Sequence, residues 1–388
     1  MTRFNKNLKI LNQLTNSIDL KEYSGFGGLH KVMNRDNYLQ LKSLLCQSDY
    51  QQLIGSMKTA YYTPTKLINF IYKALNKIGF TGGKILEPAC GHGAFLFNMP
   101  ENIIENSIIH AVELDRLSSR IARLISPHVK VLNAGFEQTK FKDNSFDLII
   151  GNPPFGSQKI NDQNPLLNNM AIHHYFVAKS ISLLKTGGIL AMVLPQYCLD
   201  NISDHPRNIM NDHGSLISAY RLPDSMFDNA KVTVDVVFYI KRKINDTQFT
   251  NLKPIVVNGH NLKMNEYYIN NPTHIIGKLD TCNMYNERIG LTVSTESNKD
   301  EIYNNLNSLY NNLHSIFQPK LNKLDMIQSL DNVIEKLNKK INSDSSFETD
   351  LLKFELEKLN YLKSKFLEYQ SNEQALLKSI KTTLSFLK

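Results

Sequence analysis

KILEPACGHGAFLF, residues 84–97, reads as a strand, a glycine-rich loop and the start of a helix. The apolar run closes on Glu87, and the loop continues as Glu87-x-Ala89-x-Gly91-x-Gly93 with Cys90 inside it. Residues this small let backbone N–H groups and a helix N-terminus come close to a ligand. Dinucleotide-binding folds use a similar loop. Taken alone, the stretch admits either a nicotinamide or an adenosylmethionine cofactor.

The surrounding sequence supplies the sheet. Residues 59–245 alternate apolar runs with helical patterns, as in an α/β fold whose parallel strands carry helices on both faces. The strand candidates are KILEPA, IIHAVEL, VKVLNA, FDLIIG, GILAMVLP, LISAYRL and VDVVFYIK. The second candidate leads into Glu113, Leu114 and Asp115. A carboxylate at the end of the second strand can accept both hydroxyls of a ribose, and Glu113 is placed for that role. Asp115 is placed to cap the next helix, where its charge suits the N-terminal dipole. Upstream, AYYTPTKLINFIYKAL presents Thr63 as an N-cap and Pro64 as the first helical residue.

FDLIIG is expected to be the fourth parallel strand, so NPPF (152–155) follows just outside its carboxyl end, where open α/β sheets bind ligands. An exocyclic amine such as adenine N6 is a poor nucleophile because its lone pair is delocalised into the ring. Two acceptors aimed at its hydrogens would localise that pair and point it at a methyl donor. The Asn152 side-chain oxygen can be one and the Pro153 carbonyl the other, with Pro153 and Pro154 holding the turn rigid. Phe155 can stack on the base and favour the positive charge that develops during transfer.

EPACGHGAF, VELD and GNPPFG, in this order and preceded by YYTP, resemble the DNA adenine-N6 methyltransferases, in the group whose cofactor motif precedes NPPF. SGFGGLH, GFEQTKFKDNSFDLIIGNPPFG, YRLPDSMF and NEYYINNP look closer still to methylases carried by phages and plasmids, some linked to antirestriction. Over residues 20–295 the resemblance implies a Rossmann-like methyltransferase sheet, S-adenosyl-L-methionine as donor and adenine N6 in DNA as acceptor. It implies that Thr63, Pro64, Glu87, Ala89, Cys90, Gly91 and Gly93 surround the methionine end, and that Glu113, with Leu114 beside it, meets the ribose. Asn152, Pro153, Pro154 and Phe155 would hold the flipped base, Asn152 also bordering the cofactor. Many relatives carry an acidic residue after the third strand, beside the cofactor's adenine. Here NAGFE offers Gly135, leaving Phe136 to pack on that ring, with Asn133 the weaker substitute.

Rival chemistries lack their marks. A cytosine-C5 enzyme needs a nucleophilic cysteine, usually after proline, and no cysteine here follows a proline. Cytosine-N4 enzymes typically show serine at the Asn152 position. Protein-glutamine methyltransferases prefer tyrosine at the Phe155 position. RNA adenine is a close alternative acceptor. A catalytically idle assembly platform is the alternative from another class. His173 and His174, ahead of the helical run FVAKSISLL, read as core or substrate-lining residues, and no metal site is expected. His92 is expected to orient the cofactor loop.

Bulk properties are consistent with an enzyme acting on a polyanion. The chain has 388 residues, 42% of them apolar, and a net charge of +8. Basic residues gather at Arg207, Arg221, Lys231 and Lys241–Lys243, the expected phosphate contacts. Four scattered cysteines without a CxxC pair suit a reducing cytoplasm. No window approaches the ~18 continuous apolar residues of a membrane span, and the basic N-terminus lacks a signal-peptide core. The expected organisation is a helical segment over 1–58, the methyltransferase domain over 59–245, a small mixed segment over 246–296 and helices over 297–388. In the last, Ile327, Leu330, Ile334, Leu337 and Ile341 form a heptad seam. Ser345 and Glu348 have capping-box spacing, and Leu352, Leu356, Leu359, Leu362 and Phe366 form a second stripe. An antiparallel helical hairpin is the reading, as a module for DNA recognition, dimerisation or docking of a partner.

Overall fold

The computed structural model describes residues 2–12, 20, 22–57, 61–227, 231–244, 247–283 and 288–315, with scattered positions between 331 and 364. Residues Met1–His314 form one compact unit and Ser315–Lys388 another.

All seven apolar runs expected to be strands are strands of a single sheet. These are β1 (Gly83–Glu87), β2 (Ser107–Glu113), β3 (Lys130–Asn133), β4 (Phe146–Gly151), β7 (Leu184–Pro195), β8 (Ser215–Leu222) and β9 (Val234–Ile240). Between β4 and β7 lies a short ribbon of β5 (Lys159–Ile160) and β6 (Met170–Ala171). The sheet order is β3-β2-β1-β4-β7-β9-β8. The pairs β3–β2, β2–β1, β1–β4 and β4–β7 are parallel, while β9 runs antiparallel to both β7 and β8. Every residue of β9 is buried, which explains why VDVVFYI is a nearly continuous apolar run. The order reverses between β1 and β4, so the carboxyl ends of those two strands open a crevice.

Helices cover the sheet and its N-terminal approach. They are α1 (Arg3–Asn12), α2 (Arg35–Leu44), α3 (Gln47–Ser56), α4 (Thr65–Ile78), α5 (Ala94–Phe97), α6 (Glu101–Glu105), α7 (Arg116–Ile125), α8 (Ile172–Leu183), α9 (Tyr197–Asp200) and α10 (His205–His213). In α4 the residues Leu67, Ile68, Ile71, Ala74, Leu75 and Ile78 recur at helical spacing and are all buried. Gly79, in the left-handed region, ends it by donating to the Leu75 and Asn76 carbonyls.

Two local expectations shift. The N-cap of α4 is Pro64, whose ψ of 139° is extended, and no side chain caps this helix. Thr63 lies one residue too early to reach the first-turn N–H groups. His173 and His174 do not precede α8 but lie in its first turn.

The expected phosphate contacts need a larger correction. Arg207 is buried and donates to the carbonyls of Leu199, Asn201 and Thr250. Arg221 is fully buried between Asp235 and Asp200. Because β9 is antiparallel, Ile240 pairs with Ile189 near the start of β7, and Lys241 exchanges backbone hydrogen bonds with Gly187 and Gly188. Lys241–Lys243 therefore leave the sheet at the edge opposite the crevice. Lys231 precedes β9, whose Val234 pairs with Pro195 at the carboxyl end of β7, and it is not part of the cleft wall.

Beyond the main sheet, β10 (Leu252–Val257) forms an antiparallel hairpin with β11 (His260–Asn265), α11 (Glu266–Asn270) follows, and β12 (Lys278–Asn283) pairs antiparallel with β13 (Ile289–Ser294). Asn258 and Gly259, both at positive φ, make the two-residue turn that the NG dipeptide signalled. The helix α12 (Lys299–Leu309) packs on α4, where Lys66 pairs with Asp300 and the edge of the Phe70 ring meets Tyr310. For that reason the division falls at 314, further on than the expected boundary at 296. In the second unit, Ile334, Leu337 and Ile341 are helical, Leu337 and Leu359 are buried, and Asp331 pairs with Lys363. Ile327, Leu330, Ser345, Glu348, Leu352, Leu362 and Phe366 lie outside the described residues.

Candidate active site

A cleft of ≈ 670 Å³ opens at the sheet's point of reversal. Its walls include Thr63, Glu87, Ala89, Cys90, Gly91, Glu113, Leu114, Phe136 and the whole of Asn152–Phe155. Two expected residues stand back from it. Pro64 caps α4, and Gly93 packs on α7, where a Cβ would meet Ala122 at 3.3 Å. Thus the glycine loop and NPPF face one space.

The position of Asn152 follows from the strand before it. Gly151 ends β4 at φ 149°, and a Cβ there would press on the Glu87 Cγ at 3.2 Å. Glycine lets the two strand ends close together. The Asn152 Nδ2 donates to the Tyr61 carbonyl at 2.9 Å. A carbonyl only accepts, so the amide cannot be the other way round. Its Oδ1 is left buried and without a partner. Pro153 is buried, and Phe155 is half-buried on the same wall.

The ends of β1 and β2 make the cleft acidic. Glu87 is 2% exposed, its Oε2 has no partner, and burial, helped by the Glu113 charge, pushes its carboxyl well above the usual range. Glu113 accepts from the Gly91 N–H and the Asp115 N–H, both at 2.7 Å. Burial outweighs those bonds and pushes it up to about 7. Asp115 does cap α7, accepting from the Ser118 N–H at 2.7 Å. The Thr63 Oγ1 and the Asp115 Oδ2 are also buried without partners. Such an excess of buried acceptors fits a ligand that brings donors and positive charge, as the ammonium, sulfonium and ribose hydroxyls of adenosylmethionine do. Leu114, 65% exposed, and the Phe136 ring offer apolar surface to a flat heterocycle.

The missing acid after β3 is replaced in space. A Cβ on Gly135 would fall 2.0 Å from the Glu137 Oε1, so the Glu137 carboxylate fills the volume a side chain at 135 would take. Glu137 lines the cleft. Asn133 turns away, donating to the carbonyls of Glu113 and Leu114.

The N-terminal residues build a wall that no local signal announced. Gln52 and Ser56 of α3 reach the cleft. The SGFGGLH loop is held by Arg3, which donates to the carbonyls of Ser24, Gly25 and Gly27, and by buried Asn7, which bonds Ser24 and Gly25. Gly25, at φ 63°, lies against Tyr62, where a Cβ would overlap the ring at 2.0 Å. Tyr62 in turn covers Gly91 and stacks edgewise on His92 at 4.6 Å. His92 is buried and held neutral, its pKa lowered to about 4 by burial and then by Arg3. It packs the loop between Tyr62 and Phe97. Tyr61 and Tyr62 were visible beside Thr63 but had no spacing that assigned them a role.

The chain is similar to several known proteins. The N-6 DNA methylase family matches residues 45–309. The "Defense against restriction protein B" of Escherichia phage P1 is 26% identical over 230 residues, 58% of this chain and 10% of that protein. The type II methyltransferase M.CvrRI of Paramecium bursaria Chlorella virus XZ-6E is 30% identical over 188 residues, 47% of this chain and 48% of that one. A type I restriction-modification methyltransferase subunit from Streptococcus thermophilus superposes with a TM-score of 0.44 at 17% identity, covering 62% of this chain and 66% of that one. The chain thus spans a tenth and about half of the two curated relatives. With well over half of its length matched, the chain belongs to the N-6 DNA methylase family.

Proposed function

We propose that the chain transfers a methyl group from S-adenosylmethionine to N6 of an adenine flipped out of DNA, within a restriction-modification or antirestriction setting. The observation that carries this reading is the Asn152 amide. Its nitrogen is tied to the Tyr61 carbonyl and its oxygen is buried, unpartnered and in the same cleft as the glycine loop.

S-adenosylmethionine supplies an electrophilic methyl carbon on a sulfonium. Around it, the residues of this chain bind and orient. Glu87 and Thr63 offer acceptors and negative charge at the methionine end. Glu113, fixed by two backbone N–H groups, takes the ribose hydroxyls, and Glu137 with Phe136 and Leu114 receives the adenine. Across the cleft, the Asn152 Oδ1 and the Pro153 carbonyl accept the two amino hydrogens of the target base and localise its lone pair. Phe155 stacks on the ring as positive charge grows. Transfer is in-line and needs no covalent intermediate, and the spare proton leaves afterwards. Unstacking the base costs a few kcal/mol, offset by stacking and phosphate contacts.

Expression in a methylation-free host, followed by single-molecule sequencing of its DNA, tests this directly. N6-methyladenine at a short motif is the expected result. Unmodified DNA alongside methylated RNA or a methylated protein glutamine would overturn the choice of substrate.

A further inference from the structure

Among the described residues, one group of three side chains offers metal-ligand chemistry: His173, His174 and Cys198, with one ligand atom of each within 4.8 Å of the others. None lines the cleft. The histidines open α8, just after the NPPF loop, and Cys198 lies in α9, just after β7. All three are buried, at 8%, 8% and 2% exposure.

The two imidazoles are already prepared as ligands. The His173 Nδ1 lies 3.0 Å from the Gly156 carbonyl. A carbonyl only accepts, so Nδ1 carries the proton and Nε2 keeps its lone pair. His174 bonds the backbone of Tyr197, and its Nε2 is buried without a partner. Burial holds both rings neutral, and with the neighbouring His173 it lowers His174 to about 4. Metal-bound histidines characteristically give their other ring nitrogen to a backbone carbonyl or carboxylate in this way. Burial also keeps the Cys198 thiol protonated in the absence of a cation.

We propose that His173, His174 and Cys198 form a structural site for a zinc-class divalent cation, with water as the fourth ligand. Two imidazole nitrogens and one sulfur select zinc or cobalt over magnesium or calcium. On binding, the Cys198 S–H bond breaks, its proton goes to solvent, and a metal–thiolate bond forms. Metal–ligand distances of about 2.0–2.3 Å place the ligand atoms roughly 3.5 Å apart, inside the 4.8 Å within which the three already lie, so binding needs only a local adjustment. The bound cation ties α8 to α9 and, through His173 and the Gly156 carbonyl, steadies the loop that carries Asn152–Phe155.

The test uses the full chain, stripped with chelator and titrated with zinc or cobalt. One zinc per chain by mass spectrometry, and a thiolate-to-cobalt charge-transfer band in the near ultraviolet, are expected. Cys198→Ser loses the band and weakens metal binding more than the ~100-fold that an outer-shell change costs, whereas Cys46→Ser changes neither. Protection of Cys198 from a thiol reagent by added zinc, mapped by peptide mass, gives a readout on the wild-type chain should the variant not fold. Failure of the wild-type chain to take up stoichiometric metal, an intact band in folded Cys198→Ser, or Cys198 labelling that ignores zinc would each overturn the site.

Discussion

Glu113 accepts from the Gly91 N–H of the glycine loop and is the proposed ribose acceptor, and its charge state sets a pH dependence. Its carboxyl is pushed up to about 7 from an ordinary value of 4.5. A raised acid favours the protonated fold, so the stability it contributes is present below pH 4.5 and is lost as pH rises through about 7. Cofactor binding has the opposite sign, because the carboxylate is the better acceptor for two hydroxyls. Affinity rises up to about tenfold per pH unit towards pH 7 and levels beyond it. Calorimetry across pH 5.5–8.5 checks this, and Glu113→Gln flattens the profile. Glu137→Ala weakens the same binding by about tenfold, the worth of one buried hydrogen bond. Glu87, Glu113 and Asn152 stood out in the sequence because the first two end strands and the third follows one, each within a motif. Glu137 was not, since only the path of the backbone after β3 brings its carboxylate into the volume left open by Gly135.

Elements were most legible where apolar runs were long and buried, as in β7 and β9, while the short, largely exposed β3 was marked by its place between α7 and the loop that follows. Strand direction was less legible, and the antiparallel course of β9 moved Lys241–Lys243 to the edge away from the cleft. Arg207 and Arg221 looked like surface cations because neither a guanidinium buried against backbone carbonyls nor a buried ion pair leaves a local signature. Arg221 is fully buried and bonds Asp235 through both Nε and Nη2. Arg221→Met leaves two buried carboxylates without a cation and costs about 3–5 kcal/mol of stability, measurable by urea unfolding. The SGFGGLH loop acts on the cleft through Tyr62. Gly25→Ala forces a Cβ into the Tyr62 ring from a left-handed backbone, lowering stability by about 1–3 kcal/mol. Because Tyr62 then moves off Gly91, cofactor affinity falls as well, and thermal melts with calorimetry separate the two effects.

Across the whole chain, every residue assigned to the cleft belongs to the unit Met1–His314, so a chain ending at 314 is expected to bind cofactor as the full chain does. The proposed substrate is a polyanion, the chain carries a net charge of +8, and Lys159 lines the cleft. Affinity for DNA falls steeply with salt, and Lys159→Ala or Lys231→Ala reduces the salt slope by about one, whereas Lys243→Ala leaves it unchanged. The central claim concerns one amide and is tested by the Asn152→Ala chain in paired assays of cofactor binding and of methyl transfer to adenine in DNA. The account predicts transfer reduced by at least about 10²–10³-fold with cofactor affinity nearly intact. Transfer at the wild-type rate, or loss of cofactor binding together with transfer, would contradict it.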